Sequence, residues 1–261
     1  MSFVTLLTDF GIRDGAANLM KGVIWRIAPD AKIADLSHTI GAQNLQEAAI
    51  VLRFGFPYFP AGTVHIVVVD PGVGTQRRPL AARLGDKYFV GPDNGVVSLV
   101  LELVEKAGGP IQFVHTDKPA YWLPEVSNVF HGRDIFSPVG AHLAAGVPLE
   151  ALGTAIDDPV RFSLNRPEPT PSGLRGEIIF IDDFGNLHTN ILETDLAALP
   201  QTIVTLRGAR IEGIVKTFGS RPIGSLIAHI GTEHDLCIAV VNGNAAAQLG
   251  GQVGDIVEIV T

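Results

Sequence analysis

The first 145 or so residues alternate between two kinds of segment, and this alternation constrains the fold more than any other feature. FVTLL at 3–7, KIADL at 32–36, TVHIVVV at 63–69 and IQFVH at 111–115 are short apolar runs bounded by Gly, Pro or Asp, which is how strands read. Between them, Met20, Val23, Ile24 and Ile27 fall at helical spacing, and Leu45, Ala48, Ala49 and Leu52 repeat the pattern. NGVVSLVLELVEKAGG, from Asn94, predicts a third helix closed by glycines. Strands that are apolar throughout need cover on both faces. The alternation therefore predicts an α/β domain with a mostly parallel sheet flanked by helices.

The texture changes after about residue 147. Pro148, Pro159, Pro167, Pro169 and Pro171 punctuate a stretch that cannot hold a long helix and is expected to connect two domains. Beyond it GEIIFID, LHTNI, TIVTLRG, GSLIAHI, DLCIAVV and VGDIVEIV read as short strands, and only AAAQLG invites a helix. The expectation is an α/β domain over 1–165, a linker at 166–173 and a small antiparallel β-barrel or sandwich over 174–261.

Composition narrows the function. A formal net charge of −8 argues against nucleic acid or an anionic membrane as partner, since both require clustered Lys and Arg. A small-molecule substrate fits better. The single cysteine, Cys237, rules out an internal disulfide framework and suits a reducing compartment. The start does not resemble a signal peptide, and no apolar run approaches the roughly 20 residues needed to cross a bilayer, so a soluble cytoplasmic protein is expected.

Ligands of open parallel sheets sit beyond the carboxyl ends of the strands. There the first strand delivers TDFGIRDG and the central one DPGVGTQRR, which makes Asp9, Asp14, Asp70, Arg77 and Arg78 candidates together. Asp-Pro-Gly reads equally well as a plain turn. A third cluster, HGRD at 131–134, precedes a helical pattern and offers a histidine near backbone N–H groups, although Arg133 and Asp134 can simply pair with each other. A fourth, IDDFGNLHTNI at 181–191, places Asp182 and Asn186 at a turn, where both can be turn residues alone. There is no GxGxxG after the first strand, no HExxH and no CxxC, which weighs against dinucleotide and zinc chemistry.

Taken in order, TDFG, VVVDPGVGTQRR, GPDNG, FHGRD, IDDFGNLHTNI and IGTEHDLCIAVVNG resemble, over nearly the whole chain, the S-adenosylmethionine hydroxide adenosyltransferases. Their superfamily also holds the fluorinating and chlorinating adenosyl halide synthases. The resemblance implies a homotrimer whose active sites lie between the large domain of one subunit and the barrel of its neighbour. The halogenating members are expected to carry tyrosine where this chain has Asp70, and a tyrosine-serine pair where it has His131 and Gly132. By similarity Asp70, Arg77 and His131 form the water-activating set, with Gly132 beside it on the substrate side, and Arg78 is structural. Asp9 matches the residue that grips the ribose hydroxyls, Asp182 the one that holds the methionine ammonium, and Thr232 lies near the methionine carboxylate. Phe184, Asn186 and, across a one-residue gap, Phe218 match the adenine pocket. His188 and Glu233 depart from the fluorinating enzymes, which have tryptophan and arginine there.

The implied reaction is hydrolysis of S-adenosylmethionine to adenosine and L-methionine, by in-line attack of an activated water on the ribose 5′ carbon, with no metal or other cofactor. The alternatives are transfer to a halide, binding of S-adenosylmethionine or adenosine without turnover, and a metal-dependent phosphohydrolase built on Asp9, Asp14 and Asp70.

Overall fold

The computed structural model describes residues 2–197, 199 and 202–260, and the chain divides into two compact units, 1–163 and 164–261. In the first unit β1 (Phe3–Thr8), α1 (Ala16–Ile27), β2 (Lys32–Ser37), α2 (Leu45–Gly55) and β3 (Val64–Val68) follow the expected alternation. They are succeeded by β4 (Pro79–Leu84), β5 (Lys87–Pro92), α3 (Ser98–Lys106), β6 (Ile111–His115), α4 (Ser137–Ala144) and β7 (Thr154–Ile156).

The sheet runs in the order β2-β1-β3-β5-β4-β6-β7, and only half of it is parallel. The pairs β1–β2, β1–β3 and β3–β5 are parallel, whereas β4–β5, β4–β6 and β6–β7 are antiparallel. The expected mostly parallel sheet is therefore corrected to a mixed one. The reason is local: a two-residue turn at Gly85 and Asp86 folds β5 directly back on β4, so no helix crosses over between them.

Successive strand residues point to opposite faces. Val4, Leu6, Val64, Ile66 and Val68 bury one face against Met20 and Ile24 of α1 and Phe136 and Val139 at the start of α4. The intervening residues turn the other way, and His65 lies against the rings of Phe56 and Phe59, just past α2. Both faces of β3 are thus filled, which makes it a rigid mount for whatever follows its carboxyl end.

The second unit comprises β8 (Glu168–Thr170), β9 (Gly173–Ile181), β10 (Leu187–Leu192), α5 (Glu193–Leu196), β11 (Ile203–Leu206), β12 (Ala209–Glu212), β13 (Ile214–Val215), β14 (Leu226–Ile230), β15 (Asp235–Val240), α6 (Ala245–Leu249) and β16 (Ile256–Val260). One strongly curved sheet, nearly barrel-shaped, runs β12-β11-β16-β9-β10-β15-β14-β13, antiparallel except for β13–β14, and β8 adds to β9. Ile178, Leu187, Ile191, Val204, Leu236, Ile238, Val257 and Ile259 fill its interior. Among the described residues no helix is long and apolar enough to cross a membrane.

Candidate functional site

Asp70 lies two residues past β3, where the chain leaves the sheet through two successive turns. Val73 N–H donates to the Asp70 carbonyl at 3.2 Å, and Thr75 N–H to that of Gly72 at 3.1 Å. The second turn requires Gly74: its φ is +74°, and a Cβ there would lie 2.4 Å from the Asn128 carbonyl oxygen. Asn94 donates from Nδ2 to the Val69 carbonyl at 2.9 Å and holds the end of the strand in place.

The double turn returns Arg77 to Asp70. Nε of Arg77 donates to Oδ1 and Oδ2 at 2.9 and 3.0 Å, and Nη2 closes on Oδ2 as well. Nη2 also donates to Nδ1 of His131 at 3.0 Å. A guanidinium has only donors, so Nδ1 accepts, and the imidazole is neutral with its proton on Nε2. Burial, followed by the charge of Arg77, lowers the His131 pKa below its ordinary value and favours this form. The Phe136 ring lies 5.0 Å from the guanidinium carbon, and the Arg77 and Asp70 side chains are only 10% and 5% exposed. The trio expected from the sequence is one hydrogen-bonded array.

His131 enters on a π-helical turn, Gly132–Phe136, that runs into α4. Such turns insert an extra residue and re-aim side chains, and they recur at functional sites. Asp134, fully buried, anchors the segment before it. Its carboxylate accepts from Arg133 Nε at 2.5 Å and from Ser127 N–H at 2.8 Å. Burial would push this carboxyl up, but Arg133 and Ser127 outweigh it and hold it below the usual range. The local Arg133–Asp134 pair and the His131–Arg77 hydrogen bond thus coexist. Gly132 packs tightly: a Cβ would lie 3.2 Å from the Phe10 ring and 3.3 Å from Val68. Through Phe10, the TDFG loop meets the HGRD turn.

Other residues named from the sequence separate. Arg78 turns away to Asp93, at 2.8 Å from Nε, and to Asp158, at 2.7 Å from Nη1, tying the loop to distant chain as scaffold. Asp14 accepts from Ala16 N–H at 3.0 Å at the start of α1. Asp9 accepts at Oδ2 from Gln43 N–H at 2.8 Å, and Gln43 holds a left-handed backbone, φ +63°, to make that bond.

The second unit carries the remaining ones. Asp182 closes the β9–β10 turn: Oδ1 accepts from the N–H groups of Phe184 and Asn186 at 3.0 and 2.8 Å, and Oδ2 from Asn186 Nδ2 at 2.7 Å. Phe184 is 77% exposed, the Phe218 ring lies tilted against His229 with centroids 4.9 Å apart, and Thr232 stands exposed in the turn before β15. Sequence reasoning left out Asp235, which holds His188 Nδ1 at 2.7 Å. Its signal was an acid opening an otherwise apolar strand, DLCIAVV.

Residues 4–153 match the SAM hydroxide adenosyltransferase N-terminal domain and residues 176–258 the C-terminal domain of the same name. The chain is 36% identical over 255 residues to the (R)-S-adenosyl-L-methionine hydrolase of Salinispora tropica, covering 97% of this chain and 95% of the relative. The fluorinase of Nocardia brasiliensis is more distant, 27% identical over 90% of this chain and 89% of its own. A crystal structure of an uncharacterized conserved protein from Thermotoga maritima superposes with a TM-score of 0.91 at 33% identity, covering 99% of this chain and 100% of that one. With both domains matched and full-length relatives above 30% identity, the chain belongs to the SAM hydroxide adenosyltransferase family.

Proposed function

We propose that this enzyme hydrolyses S-adenosyl-L-methionine to adenosine and L-methionine. The observation that carries the reading is the array Asp70–Arg77–His131, an acid, a cation and a neutral imidazole joined by hydrogen bonds on a rigid mount. Sulfonium leaves readily as a neutral thioether, so the demand falls on the nucleophile. A water held at Asp70 has a carboxylate to accept its proton, while Arg77 favours the hydroxide forming beside it by charge. His131, accepting at Nδ1 from the same guanidinium, holds it against Asp70, and the proton that Asp70 takes from the water leaves to solvent once the products depart. Alignment with the carbon–sulfur bond supplies several kcal/mol more by replacing an encounter with a held geometry. No metal or other cofactor enters these steps. Gly132, without a side chain, lets Phe10 and Val68 close on the turn that carries His131.

In this reading Asp9 grips the ribose hydroxyls and its Gln43 bond fixes the carboxylate for them. Phe184, Asn186 and Phe218 receive adenine, and Asp182 and Thr232 take the ammonium and carboxylate of the methionine end. A cytoplasmic homotrimer, with each site completed by a neighbouring subunit, is part of the proposal. Membership of the family, whose resemblance implies that assembly, supports it.

The test is to incubate the protein with each sulfonium epimer of S-adenosylmethionine in ¹⁸O water. Adenosine labelled at the 5′ oxygen is expected; no adenosine, or unlabelled adenosine, overturns the reading. Parallel reactions with chloride and fluoride show whether a 5′-halo-adenosine forms instead.

A further inference from the structure

The second unit holds an ion cluster of which the proposed chemistry uses only Asp182. His188 on β10 has Nδ1 2.7 Å from Oδ2 of Asp235 and Nε2 3.8 Å from Oδ2 of Asp182. Phe180, paired with His188 from β9, flanks the ring with centroids 5.6 Å apart. Exposure of the His188, Asp235 and Asp182 side chains is 15%, 6% and 25%. Two carboxylates at this depth call for a cation between them, because an uncompensated charge is costly to bury. Burial opposes charge on the ring, yet the hydrogen bond and charge of Asp235, joined by Asp182, outweigh it and raise the His188 pKa. Cys237, opposite His188 on β15, stays a neutral thiol, pushed up by burial and by both carboxylates. A protonated imidazole has two donors; Asp235 takes the one at Nδ1, and Nε2 faces Asp182, 3.8 Å away.

An α-amino acid head carries its ammonium and its carboxylate on a single carbon. Asp182 offers an acceptor for the first and only repulsion for the second. We infer that His188, oriented by Asp235, pairs with the α-carboxylate of the substrate while Asp182 takes its ammonium. His188 is then a specificity-determining residue for the amino-acid end, an inference that rests on the reading of Asp182 given above. Thr232 belongs to the same corner, because Gly231 N–H donates to the Asp235 carbonyl at 2.8 Å and ties its turn to that aspartate.

The experiment compares S-adenosylmethionine with its decarboxylated analogue, which keeps sulfonium and ammonium but lacks the carboxylate. For His188→Gln, KM for S-adenosylmethionine is expected to rise about tenfold to a hundredfold, the loss of one charge-assisted hydrogen bond, while KM for the analogue moves far less. An equal rise for both substrates, or none for either, overturns the inference. A wild type that cleaves neither overturns the hydrolase reading itself, so the two failures are distinct. A second readout needs no variant: with adenosine present, L-methionine should move the His188 imidazole resonances of the wild type further than 3-(methylthio)propylamine, whose ammonium reaches only Asp182 beside the ring. Equal shifts with both amines, or with neither, contradict the inference.

Discussion

Arg77 donates to both oxygens of Asp70 and to Nδ1 of His131, so replacing it changes three contacts at once. Arg77→Lys keeps the charge and loses the planar fork, and turnover is expected to fall at least about 100-fold. In the proposed mechanism Asp70→Asn removes only the proton acceptor. It should retain substrate binding, measured by calorimetry, while kcat drops between about 10²- and 10⁴-fold. His131 supplies a pH signature. Its pKa is lowered from 6.5, and protonation at Nδ1 would turn the acceptor of the Arg77 bond into a donor. The kcat profile should therefore stay level as pH falls to 6.5 and decline only below it; a decline beginning above 6.5 contradicts the assigned tautomer. These residues were legible as separate candidates because Asp70 and Arg77 flank one Gly-rich turn and HGRD stands out by its residue types, but only the family resemblance joined them into one set. His188 and Asp235 were not legible as a pair, since 47 residues separate them and only the β10–β15 pairing brings them together.

The strands β1 and β3 pair in register, with Thr5 opposite His65, and the Thr5 hydroxyl lies 2.8 Å from His65 Nδ1. Burial, and then the charge of Lys87, brings the His65 pKa down to about 3 from 6.5. The folded unit thus keeps His65 neutral while the unfolded chain takes up a proton below 6.5. The sign follows: this contribution to stability is complete above pH 6.5 and is lost as pH falls toward 3, at up to about 1.4 kcal/mol per pH unit. Urea unfolding between pH 7 and 4 should show a steeper loss for the wild type than for His65→Gln; parallel slopes would contradict it. At the scale of elements the parallel half of the sheet was legible because β1 and β3 are largely apolar, broken only by Thr5, Thr8 and His65. The β4–β5 hairpin was not. PLAARL is rich in alanine, a weak strand former, and places Arg83 among buried neighbours, so neither alternation nor a β-branched run marks it. The π turn at 132–136 also escapes a sequence reading, because the change from i→i+4 to i→i+5 bonding has no residue signature.

Each unit encloses its own apolar core, one built from residues between Val4 and Leu152, the other from residues between Leu174 and Ile259. A domain with its own core and about 100 residues is large enough to fold alone. The division also separates the chemistry: Asp70, Arg77 and His131 belong to residues 1–163, whereas Asp182, His188 and Asp235 belong to 164–261. Residues 164–261 expressed alone should therefore give β-rich circular dichroism and a cooperative thermal transition, because β9, β10, β15 and β16 pair entirely within that segment. The same segment should release no adenosine from S-adenosylmethionine at any concentration, since none of the groups proposed to activate water are in it. A non-cooperative melt would mean that the second core depends on the first unit for its packing. Adenosine release by the segment alone would move the catalytic groups out of the Asp70–Arg77–His131 array.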